Sequence, residues 1–431
     1  MTIIRDWVRR AIPATSEERA AALWSFAYFF ALLAGYYVLR PLRDQMGIAG
    51  GVRNLPWLFT ATFVTLLVAQ PLYGVLVAKL PRARFIAVVY HFFVANVAVF
   101  WLLLTLGVAE VVVARVFFVW VSVFNLFAVA VFWSFMADLF TAEQGKRLFG
   151  FIGAGGTAGA LLGPVITIGL SVPLGPVNLL IAAGVLLEVA VFCVHRLERA
   201  ATVKVDAARA AADAPIVGGG AFAALTEMMR SPYLLGIGAW VGLLSFGATI
   251  IYFEQAHIVS TSLPDRAAQT QYFAAVDLAV GLLSLAIQVF GTGYFLKRFG
   301  TGIAAGALPA VYVIGFAALA FAPVLAVVVT LQVVQRCMNF AIANPARHVF
   351  FTVVAREEKY KAKNLIDVVV YRGSDAVSGW VFDGLQAVGL KLGAIALCAI
   401  PVMAGWVLLS AALGRTQERR AAQIEAAAHV V

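Results

Sequence analysis

The chain has 431 residues, of which 62% are hydrophobic and only 13% charged, about half of the ~25% found in ordinary soluble domains. A soluble protein of this length could not cover so much apolar surface, so the composition excludes that class and predicts a protein embedded in the lipid bilayer. The net charge of +10 would suit nucleic acid. The basic residues instead lie in short segments between long apolar runs, which excludes nucleic acid as the partner.

The first 18 residues are charged and lack the apolar core of a cleavable signal peptide. Their apolar side chains share one helical face: Ile3, Ile4, Trp7, Val8 and Ile12. Segment 1–18 is therefore predicted to form an amphipathic helix at the cytoplasmic membrane surface. Thr15 and Glu18 make a T-x-x-E capping box, which would start the first long helix.

Twelve apolar segments reach the length of about 20 residues that a helix needs to cross a bilayer. In chain order they cover residues 19–39, 56–78, 85–107, 110–137, 148–171, 176–195, 233–254, 272–295, 302–322, 324–353, 364–388 and 392–413. Most basic residues fall on one side of these spans, and the opposite side holds few: Arg40, Arg43, Arg53, Arg266 and Lys391. By the positive-inside rule, the sequence predicts a multi-pass protein of a bacterial-type inner membrane with both termini cytoplasmic.

A charged, alanine-rich segment at 197–231 separates the first six spans from the last six. It predicts a cytoplasmic linker between an N-terminal six-helix bundle at 19–196 and a C-terminal six-helix bundle at 232–413, followed by a cytoplasmic tail at 414–431. The two halves also share a pattern of equally spaced residues, which indicates an internal repeat. Asn125, Glu143, Arg147 and Gly159 recur as Asn339, Glu357, Lys361 and Gly373.

The first and seventh spans end in charges of opposite sign. The first ends in Arg40, Arg43 and Asp44, and the equivalent end of the seventh carries Glu254. This arrangement predicts a substrate clamp or an outer gate, in which Asp44 and Glu254 are the gating or coupling acids. The alternative is an ordinary cluster of charges at the membrane interface. Two single acids within other spans, Asp277 and Glu188, are expected to make polar contacts between helices, with proton coupling as the alternative.

The fifth span carries glycines at four-residue spacing: Gly155, Gly159 and Gly163. This spacing favours a smooth face on which another helix packs closely. Residues 153–158 also match the dinucleotide-binding pattern G-x-G-x-x-A. No strand precedes them, so we reject that interpretation.

Polar residues in spans ten and eleven are candidates for a solute pathway, because a charge in hydrocarbon needs a partner or a wet cavity. In span ten they share one helical face: Gln332, Arg336, Asn339 and Arg347. This stripe would line a cavity or, alternatively, pair with acids of span eleven. There, Arg372 and Asp375 are three residues apart and can pair directly. A gating or coupling role and a purely structural role both remain open for this pair.

The six-plus-six repeat resembles the plan of the major facilitator superfamily. The loops after spans two and eight are similar to its signature G-x-x-x-D-[RK]-x-G-[RK]: Gly74-x4-Lys79-x-Pro81 and Gly293-x4-Arg298-x-Gly300. Ala78 and Lys297 stand where the signature has Asp. Gly159-x-x-x-Gly163-Pro164 resembles the superfamily's antiporter motif. The resemblance implies an all-α membrane protein with twelve transmembrane helices in two pseudo-symmetric six-helix bundles, with a monomer as the default.

The end of the first span narrows this resemblance. The run Leu39-Arg40-Pro41-Leu42-Arg43-Asp44 is similar to the L-R-D-x-K-D run of the ATP/ADP antiporter family, with Pro41 in place of the first Asp. The stretch from Trp133 to Phe149 resembles that family's W-x-F…K-R-F-Y run. The likeness implies exchange of a nucleoside tri- or diphosphate, with Arg40 and Arg43 binding phosphate. The stripe in span ten adds three substrate-binding candidates: Arg336, Asn339 and Arg347.

The sequence therefore predicts a secondary active transporter that exchanges a small anionic solute, a nucleotide in particular, by alternating access. Two other classes are alternatives: a proton-coupled transporter of another solute, and a non-transporting membrane receptor or scaffold. No nucleophile–base set marks an enzyme. The three cysteines stand singly in apolar segments, so no metal or cofactor is expected: Cys193, Cys337 and Cys398.

Overall fold

The computed structural model describes residues 18–79, 82–201, 228–354, 358, 362–363 and 365–428. The amphipathic helix predicted at the N-terminus, the capping residue Thr15 and most of the predicted linker lie outside these residues. The described chain is almost entirely helical and contains no strand. This confirms the predicted all-α membrane protein.

Twelve helices follow one another in the described residues. The first six are α1 (Glu18–Ala49), α2 (Leu55–Lys79), α3 (Arg82–Thr105), α4 (Glu110–Leu139), α5 (Ala142–Leu170) and α6 (Leu179–Ala201). The second six are α7 (Pro232–Ser262), α8 (Arg266–Phe290), α9 (Thr292–Phe321), α10 (Leu325–Val353), α11 (Tyr371–Ala387) and α12 (Leu392–Ala428). Eleven of them are long and apolar enough to cross a membrane. The exception, α11, has 17 residues, three of them charged, and follows a π-helical turn at Ile366–Val370.

Three helices continue well beyond their predicted ends. The sequence predicts that α1 ends at residue 39, but it continues through Pro41 to Ala49. Likewise, α7 continues past residue 254 to Ser262, and α12 passes residue 413 and extends to Ala428. Hydropathy marks where apolar residues stop, whereas a membrane helix can continue through charged residues and proline when neighbouring groups satisfy its backbone. The charged residues at the ends of spans one and seven therefore lie inside helices.

A kink in α9 lies where the sequence predicts the loop between spans eight and nine. Gly300 has a φ of 76°, in the left-handed region that residues with a Cβ occupy only at a cost. The kink separates a short segment after Thr292 from the long part of α9. The positive φ at this position explains why the signature-like loop ends in a glycine.

The chain forms two compact units. Unit 1 contains α1, α3 to α6, the part of α2 from Val64 onward, and Arg266–Leu278 of α8. Unit 2 contains Gly51–Phe63, the remainder of α8, and α7 and α9 to α12.

In unit 1, the glycines of α5 pack directly on α1. A Cβ on Gly155 would lie 2.5 Å from the carbonyl oxygen of Phe26. Cβ atoms on Gly159 and Gly163 would lie 2.9 Å from the nitrogen and 2.7 Å from the oxygen of Ala34, respectively. Any side chain would therefore force the two helices apart, which confirms the predicted close-packing face.

A chain of hydrogen bonds ties α1 to α3 and α4 within unit 1. The Tyr28 hydroxyl donates to the Tyr90 hydroxyl at 2.6 Å, and Tyr90 donates to the carbonyl oxygen of Ala128 at 3.0 Å. Phe29 stacks on Phe132 with ring centroids 4.0 Å apart. All five side chains are buried. These contacts fix the helix whose later turns carry the predicted arginines.

In unit 2, two buried aromatic residues of α7 have partnered polar atoms and join α7 to α12 and α10. Trp240 donates from Nε1 to Ser410 Oγ at 2.9 Å and packs on Trp406 with ring centroids 5.3 Å apart. Tyr233 donates to the carbonyl oxygen of Phe350 at 2.9 Å. A buried Trp or Tyr that satisfies its polar atom adds specificity to its large apolar contact area.

Candidate functional site

The first cluster of charged residues lies in unit 1, towards the end of α1. Arg40 Nε lies 3.6 Å from Asp277 Oδ2 on α8. The side chain of Asp277 is 2% exposed and that of Arg40 is 19% exposed, so the pair lies largely away from water. The predicted helix–helix contact of Asp277 is thereby confirmed, although the sequence did not identify its partner.

Arg43 and Asp44 form the second ion pair of this cluster. Arg43 Nη2 donates to Asp44 Oδ1 at 2.6 Å, and Nη1 donates to Ser122 Oγ of α4 at 3.5 Å. The guanidinium also lies 5.0 Å from the centroid of the Phe118 ring, at cation–π distance. Asp44, predicted as a gating acid, is thus the direct partner of Arg43.

Two guanidinium groups are therefore matched by two carboxylates within unit 1. A guanidinium offers the same planar fork of N–H donors to a carboxylate and to a phosphate. Chemically, this cluster can exchange a protein carboxylate for an anionic ligand without changing the geometry of its donors.

The helix type changes within the predicted polar stripe of α10. Residues Asn339–Ala343 form a π-helical turn inside α10. A π turn accommodates an extra residue, so the residues after it are rotated by about 100° relative to a continuous α-helix. Arg336 and Asn339 precede or begin this turn, whereas Arg347 follows it. Arg347 therefore moves from one edge of the predicted stripe to the other, and the four polar residues still fall within about 80° of one another.

Arg347 pairs with an acid next to α11. Its Nη1 donates to Asp367 Oδ1 at 2.8 Å, and Asp367 belongs to the π-helical turn before α11. This local pairing with an acid near span eleven is the predicted alternative to cavity lining. Asn339 differs, because its buried Oδ1 has no hydrogen-bond partner among the described residues. It can accept a hydrogen bond from a ligand or from water.

Unit 2 also contains a buried chain of amide side chains, of which the sequence identified only Gln332. Gln332 donates to Gln255 at 2.5 Å, Gln335 donates to Gln332 at 2.7 Å, and Tyr312 donates to Gln335 at 2.9 Å. The chain joins α7, α9 and α10. The available signal was the presence of glutamines in apolar spans, where an unsatisfied amide is costly.

Glu254 lies in the interior of unit 2 and not at a helix end. It is 0% exposed, and neither carboxyl oxygen has a hydrogen-bond partner within the described part of the chain. An ionised carboxylate here would be an uncompensated buried charge. A proton or another cation must therefore accompany this group.

Arg372 and Asp375 pair as predicted, with Nη1 and Oδ2 3.4 Å apart. The other carboxyl oxygen of Asp375 accepts hydrogen bonds from two hydroxyls of α7, Ser245 at 2.6 Å and Thr249 at 3.2 Å. These hydroxyls were not predicted. Their spacing of one helical turn on α7 was the available signal, but an apolar helix contains many such pairs.

A cavity of about 490 Å³ lies between α3 and α6 and contains none of the predicted site residues. Its lining is apolar except for Glu188, which lies 3.8 Å from His91. The pair confirms the helix–helix contact expected for Glu188. Among the described residues, no group of three or more His, Cys, Asp or Glu side chains could hold a metal ion.

Several solved structures superpose on almost the whole chain. A bacterial homologue of the iron transporter ferroportin in an inward-facing state has a TM-score of 0.60 and 12% identity, covering 94% of this chain and 99% of that chain. A bacterial homologue of the human lysosomal transporter Spinster gives 0.56 and 12% with the same coverage. The nucleoside transporter NupG gives 0.52 and 15%, again with 94% and 99% covered. These proteins are transporters of the major facilitator type, so the chain has the predicted major facilitator fold.

No family model matches the chain. Among curated proteins, the ADP,ATP carrier protein 2 of Chlamydia pneumoniae is 25% identical over 223 residues, which is 46% of this chain and 41% of that protein. The match therefore spans less than half of that relative.

Proposed function

We propose that this chain is a secondary active transporter that exchanges an anionic solute of nucleotide type by alternating access. The observation that carries the proposal is the pair of guanidiniums on α1. Arg40 and Arg43 each lie beside a carboxylate, Asp277 and Asp44 respectively. The major facilitator fold and the local likeness to an ADP,ATP carrier support it.

Phosphate oxygens would compete with these carboxylates for the guanidiniums, because both kinds of anion fit the same fork. The 3.6 Å between Arg40 and Asp277 exceeds the ~2.7–2.9 Å of a charge-assisted hydrogen bond. Arg40 is therefore the easier of the two arginines to transfer from protein carboxylate to solute. Arg336 and Asn339 in unit 2 are proposed as further solute contacts, and Arg347 only if its pair with Asp367 opens.

The proposal includes the setting of the protein. The two six-helix bundles at 19–196 and 232–413 would be the two moving halves, in an inner membrane, with both termini cytoplasmic and with one chain as the working unit. Residues 197–231 would link the halves on the cytoplasmic side. The basic residues concentrated in these segments support that orientation.

Counterflow in liposomes tests the exchange. We expect labelled ATP to enter liposomes that contain purified protein and internal ADP, and to stay outside when the interior holds no nucleotide. Arg40→Ala and Arg43→Ala should each lower the rate by roughly tenfold or more, because each removes charge-assisted contacts to phosphate. Arg53→Ala, which removes an exposed arginine from another segment, is the matched control.

Two outcomes would contradict the proposal in different ways. Uptake of another anion in place of nucleotides would keep the basic site and discard the substrate class. Nucleotide exchange at the wild-type rate in both arginine variants would remove Arg40 and Arg43 from the site.

Proton-coupled transport is a second candidate, and Glu254 favours it because its buried carboxyl needs an accompanying cation. This function predicts uptake driven by a pH gradient without any internal solute, and loss of that uptake in Glu254→Gln. An unchanged response to the pH gradient in the variant would exclude Glu254 as the coupling group.

A further inference from the structure

Unit 2 contains four oxygen-bearing groups in mutual contact between α7 and α11. Asp375 Oδ1 lies 2.6 Å from Ser245 Oγ and 3.2 Å from Thr249 Oγ1. Ser245 Oγ also lies 3.0 Å from the backbone carbonyl oxygen of Tyr371. The three side chains are 7% exposed or less. We call these four groups the oxygen cluster.

The oxygen cluster has fewer hydroxyl protons than it has oxygen–oxygen contacts of hydrogen-bond length. It contains three oxygen–oxygen contacts of hydrogen-bond length. Ser245 and Thr249 supply one proton each, whereas a carbonyl and an ionised carboxylate supply none. One contact therefore brings together two oxygens with no proton between them, which is unfavourable in a buried site. A positive charge shared by these oxygens would remove the deficit.

Arg372 does not supply that charge at the oxygen cluster. Its Nη1 faces Oδ2 of Asp375, the carboxyl oxygen that the two hydroxyls do not contact. The separation of 3.4 Å is longer than that of a strong charge-assisted hydrogen bond, about 2.7–2.9 Å. The Arg372 side chain is also 30% exposed, so water shares its charge.

The donor set selects the kind of cation. Carboxylate, hydroxyl and carbonyl oxygens suit a hard cation. A single carboxylate that already faces a guanidinium provides too little negative charge for a divalent ion, so a monovalent ion fits better. The π-helical turn at Ile366–Val370 directly precedes Tyr371. Carbonyls of irregular helices are the groups with which transporters coordinate Na⁺.

We propose that the oxygen cluster is a Na⁺ site, with Asp375, Ser245, Thr249 and the carbonyl of Tyr371 as ligands. The ion neutralises Asp375 in place of Arg372 and links α7 to α11 through shared ligands. The site stands on the geometry of unit 2 alone. Its role in driving transport rests on the proposed transporter function.

Thermal unfolding of the purified protein in detergent, without any solute, tests the site. NaCl is exchanged for choline chloride at constant ionic strength, and KCl serves as a second comparison. We expect a saturable rise in Tm with Na⁺, a smaller rise with K⁺ and none with choline. Ser245→Ala combined with Thr249→Val should raise the half-saturating Na⁺ concentration by roughly tenfold or more, and Asp375→Asn should remove the response.

Ser378→Ala is the matched control. It also removes a buried hydroxyl from α11, but that hydroxyl donates to the Ser374 carbonyl of the same helix and lies outside the oxygen cluster. The control should keep the wild-type Na⁺ response. The hydroxyl variant tests the ligands without altering any charge, so the site can be judged even if Asp375→Asn does not fold.

Three results would overturn the proposal. The first is a wild-type Tm that responds equally to Na⁺ and choline, and the second is an undiminished Na⁺ response in the hydroxyl variant. The third is stabilisation by acid in place of Na⁺, which would assign the missing charge to a proton on Asp375. Since no nucleotide is present, a failure of nucleotide exchange leaves this result unaffected, and a failure of Na⁺ binding leaves the exchange proposal standing.

Discussion

The Arg40–Asp277 pair joins two residues whose burial makes each dependent on the other. Asp277 is almost completely buried, and Arg40 is its oppositely charged neighbour. Removing one partner of a buried pair leaves an uncompensated charge, whereas removing both leaves none. Single and double variants can therefore distinguish the contribution of the pair to stability from its contribution to transport.

We predict that Arg40→Ala lowers the free energy of unfolding by about 3 kcal/mol, because Asp277 then loses its counter-charge. The double variant Arg40→Ala with Asp277→Ala should recover much of this stability but none of the nucleotide exchange. Thermal unfolding and counterflow of the same preparations measure the two effects. A double variant no more stable than Arg40→Ala would show that the two residues are not energetically coupled.

At the residue scale, the sequence identified groups that act within one helix and missed partners from distant helices. Arg372 and Asp375 were found together because helical spacing places residues three apart side by side. Ser245 and Asp277 were not found as partners of the predicted site, since nothing in local spacing reports which helices meet. The sequence therefore identifies candidate residues one at a time, whereas the residues with which they pair are known only from the tertiary structure.

At the scale of elements, apolar composition predicted where helices cross the bilayer better than where they end. The charges after residue 39 are typical of a loop, yet Pro41 and the three charged side chains that follow residue 39 lie within α1. The π turn in α10 was equally hidden, because an added residue changes no composition and is visible only as a change of hydrogen-bond pattern. The longer α1 places Arg40 within the helix and not at its end, and the π turn rotates Arg347 by about 100°.

The glycine face of α5 gives a sharp prediction about helix packing. Gly159→Ala should destabilise the protein, because the new Cβ would meet the backbone of Phe30 and Ala34 on α1. Gly153→Ala is the matched control on the same helix, since a Cβ there would meet nothing within 4 Å. Alanine has the higher helix propensity, so this control should be neutral or stabilising by up to about 1 kcal/mol.

Thermal unfolding of the two alanine variants in the same detergent measures the difference. Equal Tm values for Gly159→Ala and Gly153→Ala would contradict the close approach of α5 and α1.

At the scale of the whole molecule, the helices and their order followed from composition, while the orientation in the membrane is a prediction from charge. Cysteine labelling in intact cells tests it, after the three native cysteines are replaced. We expect Val172→Cys, in the exposed turn after α5, to react with a membrane-impermeant maleimide from outside. Arg419→Cys, on the exposed part of α12, should react only after the cells are opened. The reverse pattern would invert the topology.

The length of α12 has a practical consequence for imaging. Its 37 residues correspond to about 55 Å at ~1.5 Å per residue, against a hydrocarbon layer of about 30 Å. An uninterrupted helical rod thus projects beyond the lipid. A small folded protein joined to it in helical register, without a flexible spacer, would be held at a fixed angle. Because most of the chain is buried in the detergent micelle, the fused protein would provide a rigid feature outside the micelle for aligning single particles in electron cryomicroscopy.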